Sequence, residues 1–231
     1  MFEQEDLKHH IQRSIVEYLM LHEYGRFRDL RPKHVDTNLF TYHLKSLQKA
    51  GYVIKADGGY TLDRRGLIYV DRVTHGKMRL RTQPKIITML LIQDGYGKVL
   101  LQMRTKQPYI NTWTLPYGKI HIDDISVIEA AKRESHEKLN YEPGDSLRHV
   151  GDCYINVTGD GGAIESKTLA HILRFEADDI DETDSLKWCE PLDMMRMSLA
   201  PAVEQIVTRA FFGDKFFFEE FVAETQMPSE S

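Results

Sequence analysis

The chain has 231 residues, 42% of them hydrophobic, and carries 30 Lys/Arg against 35 Asp/Glu for a net charge of −5. That length and apolar content suffice for two cores, whereas the longest apolar run, Ile86 to Ile92 broken by Thr88, is too short to span a bilayer. The acidic, polar start MFEQEDLKHH differs from a secretory signal, and Cys153 and Cys189 follow no metal-ligand spacing, so a cytoplasmic protein with buried, reduced thiols and no membrane partner is expected.

In chain order, Leu7, Ile11, Ile15, Tyr18 and Leu19 recur at helical spacing and predict a first helix. A short second helix is expected near Arg26 to Leu30, limited by Pro32. Asp36-Thr37-Asn38 is an N-cap cluster for a third helix ended by Gly51. On it Phe40, Leu44 and Leu47 share one side with His43, while Asn38, Thr41, Tyr42, Lys45 and Lys49 fall opposite. Tyr52 to Lys55, the turn Asp57-Gly58-Gly59 and Tyr60 to Leu62 predict a hairpin.

The run TYHLKSLQKAGYVIKADGGYTLDRRG resembles the recognition helix and wing of winged-helix DNA-binding domains of the MarR/ArsR type. The resemblance implies duplex DNA as a partner. Asn38, Thr41, Tyr42, Lys45 and Lys49 would face bases and phosphates, and Lys55, Arg64 and Arg65 would add phosphate contacts. A polar face opposite an apolar stripe also suits a surface helix used for protein contact. Residues 1–75 hold 12 Lys/Arg and 10 Asp/Glu, about +2, and the remainder holds 18 and 25, −7. A domain near +2 binds DNA weakly and in a salt-sensitive way, so a homodimer reading two half-sites is expected. Residues 1–75 form the first predicted domain, 76–84 a linker, 85–222 a second domain and 223–231 a flexible tail.

In the second domain, Lys85 to Arg104 reads as two strands joined by a glycine-containing turn. His149 to Val157 and Thr168 to Phe175 are alternating, β-rich runs, Leu186 to Cys189 a late strand, and about Pro201 to Phe212 a last helix. Between them, Gly118 to Tyr141 reads GKIHIDDISVIEAAKRESHEKLNY. Positions i, i+3 and i+4 of a helix share a face, so Glu134, Glu137 and Lys138 project together. Two carboxylates there suit a hard cation; an ion-paired, solvated helix face is the bland alternative.

This segment resembles the Nudix box, G-x5-E-x7-R-E-U-x-E-E-x-G-U with U a bulky aliphatic residue, and WTLPYG before it resembles the W-x-L-P-x-G approach to the Nudix loop. Arg133, Glu134 and Glu137 match, whereas Lys138 replaces the last glutamate, Asn140 the glycine, and Ser135 and Tyr141 the two U residues. Counting back from Arg133 puts the first glutamate on Ile125, and counting on from Gly118 puts it on Asp124, so the loop has gained one residue. Asp124 is the expected partner of Arg133.

The resemblance covers roughly Lys85 to Phe212 and implies an α/β/α sandwich with a mixed sheet. It further implies a Nudix-type hydrolase of a nucleoside diphosphate linked to another moiety, with Mg2+ or Mn2+ on Glu134 and Glu137. Arg133 and Lys138 would complete the catalytic helix, and Gly118 would lie at the substrate. Glu165, Glu182 and Asp184 are candidates for a base or further ligand from outside the box, against the plainer reading as solvated loop acids. The competing reading is a metabolite-sensing transcription regulator whose Nudix domain binds its ligand with little or no turnover. Nudix domains coupled to winged helices act so in some bacteria, usually in the reverse order. A protein-interaction scaffold is the third reading.

Overall fold

The computed structural model describes residues 7–76, 78, 83–159, 164–211 and 215–224, with the backbone alone for Ile164 and Glu165. The chain divides into two compact units, Met1–Thr82 and Gln83–Ser231.

The first unit has the order helix, helix, helix, hairpin, which is that of a winged helix: α1 (His10–Leu21), α2 (Phe27–Leu30), α3 (Thr37–Lys49), β1 (Val53–Ala56) and β2 (Gly59–Leu62). His9 caps α1 through its ring nitrogen. Asp36 caps α3 by accepting from the backbone N–H groups of Asn38 and Leu39, which satisfies two of the donors a helix start leaves open. Ile11, Ile15, Leu19, Phe40, Leu44 and Leu47 meet in one core, as their periodicity predicts. Gly25 and Tyr60 exchange backbone hydrogen bonds of 2.9 Å, an isolated bridge that adds a third strand position beside the hairpin. A fourth helix, α4 (Arg64–Val70), stands where a pair of arginines, and no helix, is recognised in the sequence. It depends on Gly66, where a Cβ would lie 2.1 Å from the Tyr52 carbonyl oxygen.

The second unit is built on one mixed sheet of eight strands: β3 (Lys85–Gln93), β4 (Val99–Met103), β5 (Trp113–Thr114), β6 (Tyr117–Lys119), β7 (Arg148–Thr158), β8 (Ile164–Glu176), β9 (Leu186–Cys189) and β10 (Phe217–Glu224). The order is β10-β7-β8-β3-β4-β5, with β6 on β3 and β9 on β4. β3–β8 and β10–β7 are parallel, and the other pairs antiparallel. Alternation along the strands feeds two cores. Met89, Leu91, Leu101 and Ile172 pack with Ile206 and Val207 of α6 (Val203–Phe211) on one face. Leu90, Ile92, Leu100 and Leu173 pack with Ala131 of α5 (Val127–Leu139) on the other, completing the α/β/α sandwich.

Strand β10 is absent from the sequence reading. Its inward residues alternate from Phe217, and it lies parallel to β7 at the sheet edge, where only a tertiary partner orders it. It reaches Glu224, so 223 and 224 belong to a strand; the rest of the expected tail lies outside the described residues. Both cysteines are buried in strands, and burial pushes the Cys153 thiol up to about 12. Among the described residues no helix is long and apolar enough to cross a membrane.

Candidate functional site

Helix α5 carries the box. Ser126 caps its start by accepting from the Glu129 backbone N–H at 3.1 Å. Asn140 ends it at φ +50°, ψ +38°, the left-handed conformation that a glycine or asparagine tolerates there. The departures at the two U positions of the box support each other. The buried Ser135 hydroxyl donates to the Tyr141 carbonyl at 2.8 Å, and the Tyr141 ring stacks on Phe175.

Arg133 organises the loop before the helix. Its Nε and Nη2 donate to the two oxygens of Asp124 at 2.9 and 2.8 Å, and Nη2 also reaches the Lys119 carbonyl at 3.1 Å. The longer loop thus delivers an aspartate, one carbon shorter than the glutamate of the box pattern, to the same arginine. The Arg133 hydrogen bond holds the Asp124 carboxyl down at about 2, well below its ordinary 3.8.

Glu134 is buried, and its carboxylate rests on the backbone of β6: a Cβ at Gly118 would lie 1.6 Å from its carboxyl carbon. This close approach explains the glycine at 118. One Glu134 oxygen accepts from Arg133 Nη1 at 2.7 Å, and the other lies 3.8 Å from Lys138 Nζ. Lys138 Nζ also stands 5.7 Å from the centre of the Tyr117 ring. The Glu137 side chain is 55% exposed, and its carboxylate is 3.5 Å from Arg133 Nη1.

Beside Glu134 opens a cleft of about 380 Å³ lined by Arg104, Lys106, Lys119 and Lys138, with His121, Tyr117 and Gly118. Glu134 is the one carboxylate in its lining. Arg104 is held over the cleft by the Pro108 carbonyl, 3.0 Å from its Nε, and by the Tyr117 hydroxyl. Arg104, Thr114 and Tyr117 also line an adjoining, smaller cleft of about 100 Å³ with apolar and aromatic walls, including Ile87, Met89, Tyr109 and Val157.

The residues that would hold the divalent ion implied by the box are engaged with cations in this structure. A hard cation takes several oxygen ligands, but both Glu134 oxygens face cationic side chains, Glu137 leans on the same arginine, and Lys138 occupies the third position. Among the described residues, the one group of three metal-ligating side chains lies on β7 and β8, not in the box. Glu182 and Asp184 are not brought to the cleft. Glu182 accepts from the Trp188 backbone N–H at 2.7 Å and so ties its loop to β9, while Asp184 is exposed on that loop. The side chain of Glu165 lies outside the described residues. Sequence reasoning missed Arg104, Lys106 and Lys119 as cleft residues. Arg104 and Lys106 come from the loop after β4 and Lys119 from the end of β6, and no spacing joins them to the box.

In the first unit α3 exposes Asn38, Tyr42, Lys45 and Lys49, and Lys55 is exposed on the hairpin. Thr41 is half-buried, its hydroxyl donating to the Thr37 carbonyl at 2.7 Å. Arg65, expected to contact phosphate, is half-buried beside the hairpin. Its guanidinium lies 4.9 Å over the Tyr52 ring and donates to the Ala50 carbonyl, bracing α4.

Among solved structures the chain is similar to a mutator MutT protein from Bacillus halodurans, at 19% identity and TM-score 0.49, covering 60% of this chain and 89% of that one. It is also similar to the NUDIX domain of Shewanella oneidensis NrtR in complex with ADP ribose, at 20% and 0.48, covering 63% and 96%. A NUDIX hydrolase from Nitrosomonas europaea follows at 18% and 0.43, covering 74% and 93%. No curated protein matches the sequence. The family profile of the NUDIX domain matches residues 83–210, more than half of the chain, and with the box helix and sandwich described above the chain belongs to the Nudix family.

Proposed function

We propose that the second unit binds a nucleoside diphosphate derivative in the cation-lined cleft, with little or no hydrolysis, and that the first unit binds duplex DNA, making the chain a ligand-sensing transcription regulator. The observation that carries this reading is the charge of the cleft. Four Lys/Arg side chains and a histidine line it with one carboxylate, which is itself flanked by Arg133 and Lys138. Such a site attracts a diphosphate without an intervening ion. The aromatic-walled cleft alongside suits a nucleoside, whose ring stacks on aromatic side chains. Lys138 supplies charge to a phosphate but does not lower the pKa of a bound water, the step a metal ion performs in hydrolysis. The exposed Asn38, Tyr42, Lys45, Lys49 and Lys55 support the DNA reading, with a homodimer to reach two half-sites.

The hydrolase reading retains one observation in its favour: Glu137 is exposed and reachable by an ion carried in on a substrate such as a Mg2+ or Mn2+ diphosphate. Thermal melting with ADP, in EDTA and in Mg2+, separates the two. A ligand that binds only the folded state raises the melting temperature. The sensing reading expects ADP to stabilise the protein equally in both buffers with no phosphate released. Stabilisation that requires Mg2+, accompanied by multiple turnovers, overturns it in favour of the hydrolase.

A further inference from the structure

A second cluster of chemically capable side chains lies on the sheet, apart from the box. His149 and Asp152 belong to β7 and His171 to β8. In a regular strand, residues three apart point to opposite faces. Here the β7–β8 ladder shifts register between His149 and Gly151, and such a bulge re-aims the side chains around it. His149 and Asp152 therefore meet on one face, with His171 directly opposite Asp152 in the ladder. His149 Nε2 and His171 Nδ1 lie 2.8 and 2.6 Å from the same Asp152 oxygen, and all three ligand atoms fall within 4.8 Å of one another. The side chains are 29%, 23% and 16% exposed for His149, Asp152 and His171, enough for an ion and water to reach them. Phe216 packs edge-on against His149.

We infer that His149, Asp152 and His171 form a metal site for a first-row divalent ion, Zn2+ above all, distinct from the Nudix box. Two imidazoles and one carboxylate are a donor set that favours such ions over Mg2+ and leaves positions open for water or a ligand. Tetrahedral Zn–N and Zn–O bonds of about 2.0–2.2 Å place ligand atoms about 3.4 Å apart, so the two short N–O separations must open by roughly 0.6 to 0.8 Å, within reach of side-chain rotation. The site is separate from the box by topology. Asp152, His171, Thr88 and Gly118 occupy successive strands on one rung of the sheet. Three strand spacings put Asp152 roughly 14 Å from the glycine under Glu134. Thr88, on the same rung between the two sites, is fully buried with no hydrogen-bond partner for its hydroxyl.

The test uses the full chain, stripped with EDTA and titrated with Co2+ as a spectroscopic probe. The expected result is one equivalent of Co2+ with visible absorption, displaced by Zn2+ and not by excess Mg2+. His149→Gln and His171→Gln are each expected to weaken it at least about tenfold, the least that loss of a metal-supporting group costs, while Glu137→Gln leaves it unchanged. Circular dichroism checks that each variant is folded, and where His171→Gln disturbs the fold, the more exposed His149→Gln decides. No Co2+ uptake, uptake indifferent to the folded histidine variants, or uptake lost in Glu137→Gln overturns the inference, leaving Asp152 as a hydrogen-bond acceptor for two imidazoles.

Discussion

At the scale of single residues the behaviour of the box turns on Lys138. Its ammonium shares Glu134 with Arg133, so the buried carboxylate is neutralised without an ion. Lys138→Glu removes that cation and restores a third oxygen donor. It is expected to raise Mg2+-dependent hydrolysis of a nucleoside diphosphate derivative by roughly 10- to 100-fold, the range by which single groups around a metal change its binding or activity. It should also weaken metal-free binding. Phosphate-release kinetics and melting in EDTA read the two effects, and a wild type that already turns over rapidly and is slowed by Lys138→Glu would refute the sensing role of the lysine.

Asp124 gives a second test. Its carboxyl is held at about 2 by Arg133 against an ordinary 3.8, so the pair contributes stability in full above about pH 4 and loses it as the pH falls through about 2. Asp124→Asn is expected to cost about 1.5–3 kcal/mol near neutrality, the range for hydrogen bonds to charged groups. The gap from wild type should close between pH 4 and pH 2 in denaturant melts. A gap that persists unchanged at pH 2 would show that the ion pair is not its source.

At the scale of elements, the two helices that matter are ordered by local chemistry legible in the chain. Asp36 and Ser126 are side-chain caps, Asn140 a left-handed stop, and the apolar stripes of α3 and α5 reach their cores. The exposed face of α3 carries the DNA proposal. Lys45→Ala with Lys49→Ala is expected to weaken duplex binding by the full chain and to lower the slope of log affinity against log salt by nearly 2, since each lost phosphate contact removes about 0.9. Titration by fluorescence anisotropy at several salt concentrations reads this, and binding indifferent to both the double change and salt would exclude α3 as the contact. Elements whose order depends on distant partners were illegible. α4 closes against the Tyr52 carbonyl, and β10 adds to β7 from some sixty residues away in sequence.

At the scale of the whole molecule, the sequence by itself determined most of the local elements, and the winged helix and the sandwich followed only from the families those elements resemble. Helical and strand periodicities, caps and turn residues are local, and the order of elements from Lys85 to Phe211 follows from them. It also determined that Glu134, Glu137 and Lys138 share one helix face, because three- and four-residue spacing fixes that geometry. What it left open is what surrounds that face. Only the tertiary structure decided that Arg104, Lys106 and Lys119 line one cleft with Glu134, that Glu182 serves a neighbouring backbone instead of the cleft, and that His149, Asp152 and His171 meet. Each of these depends on strand order and register. One residue of slip at the β7 bulge moves His149 to the other side of the sheet, and no local pattern records that choice.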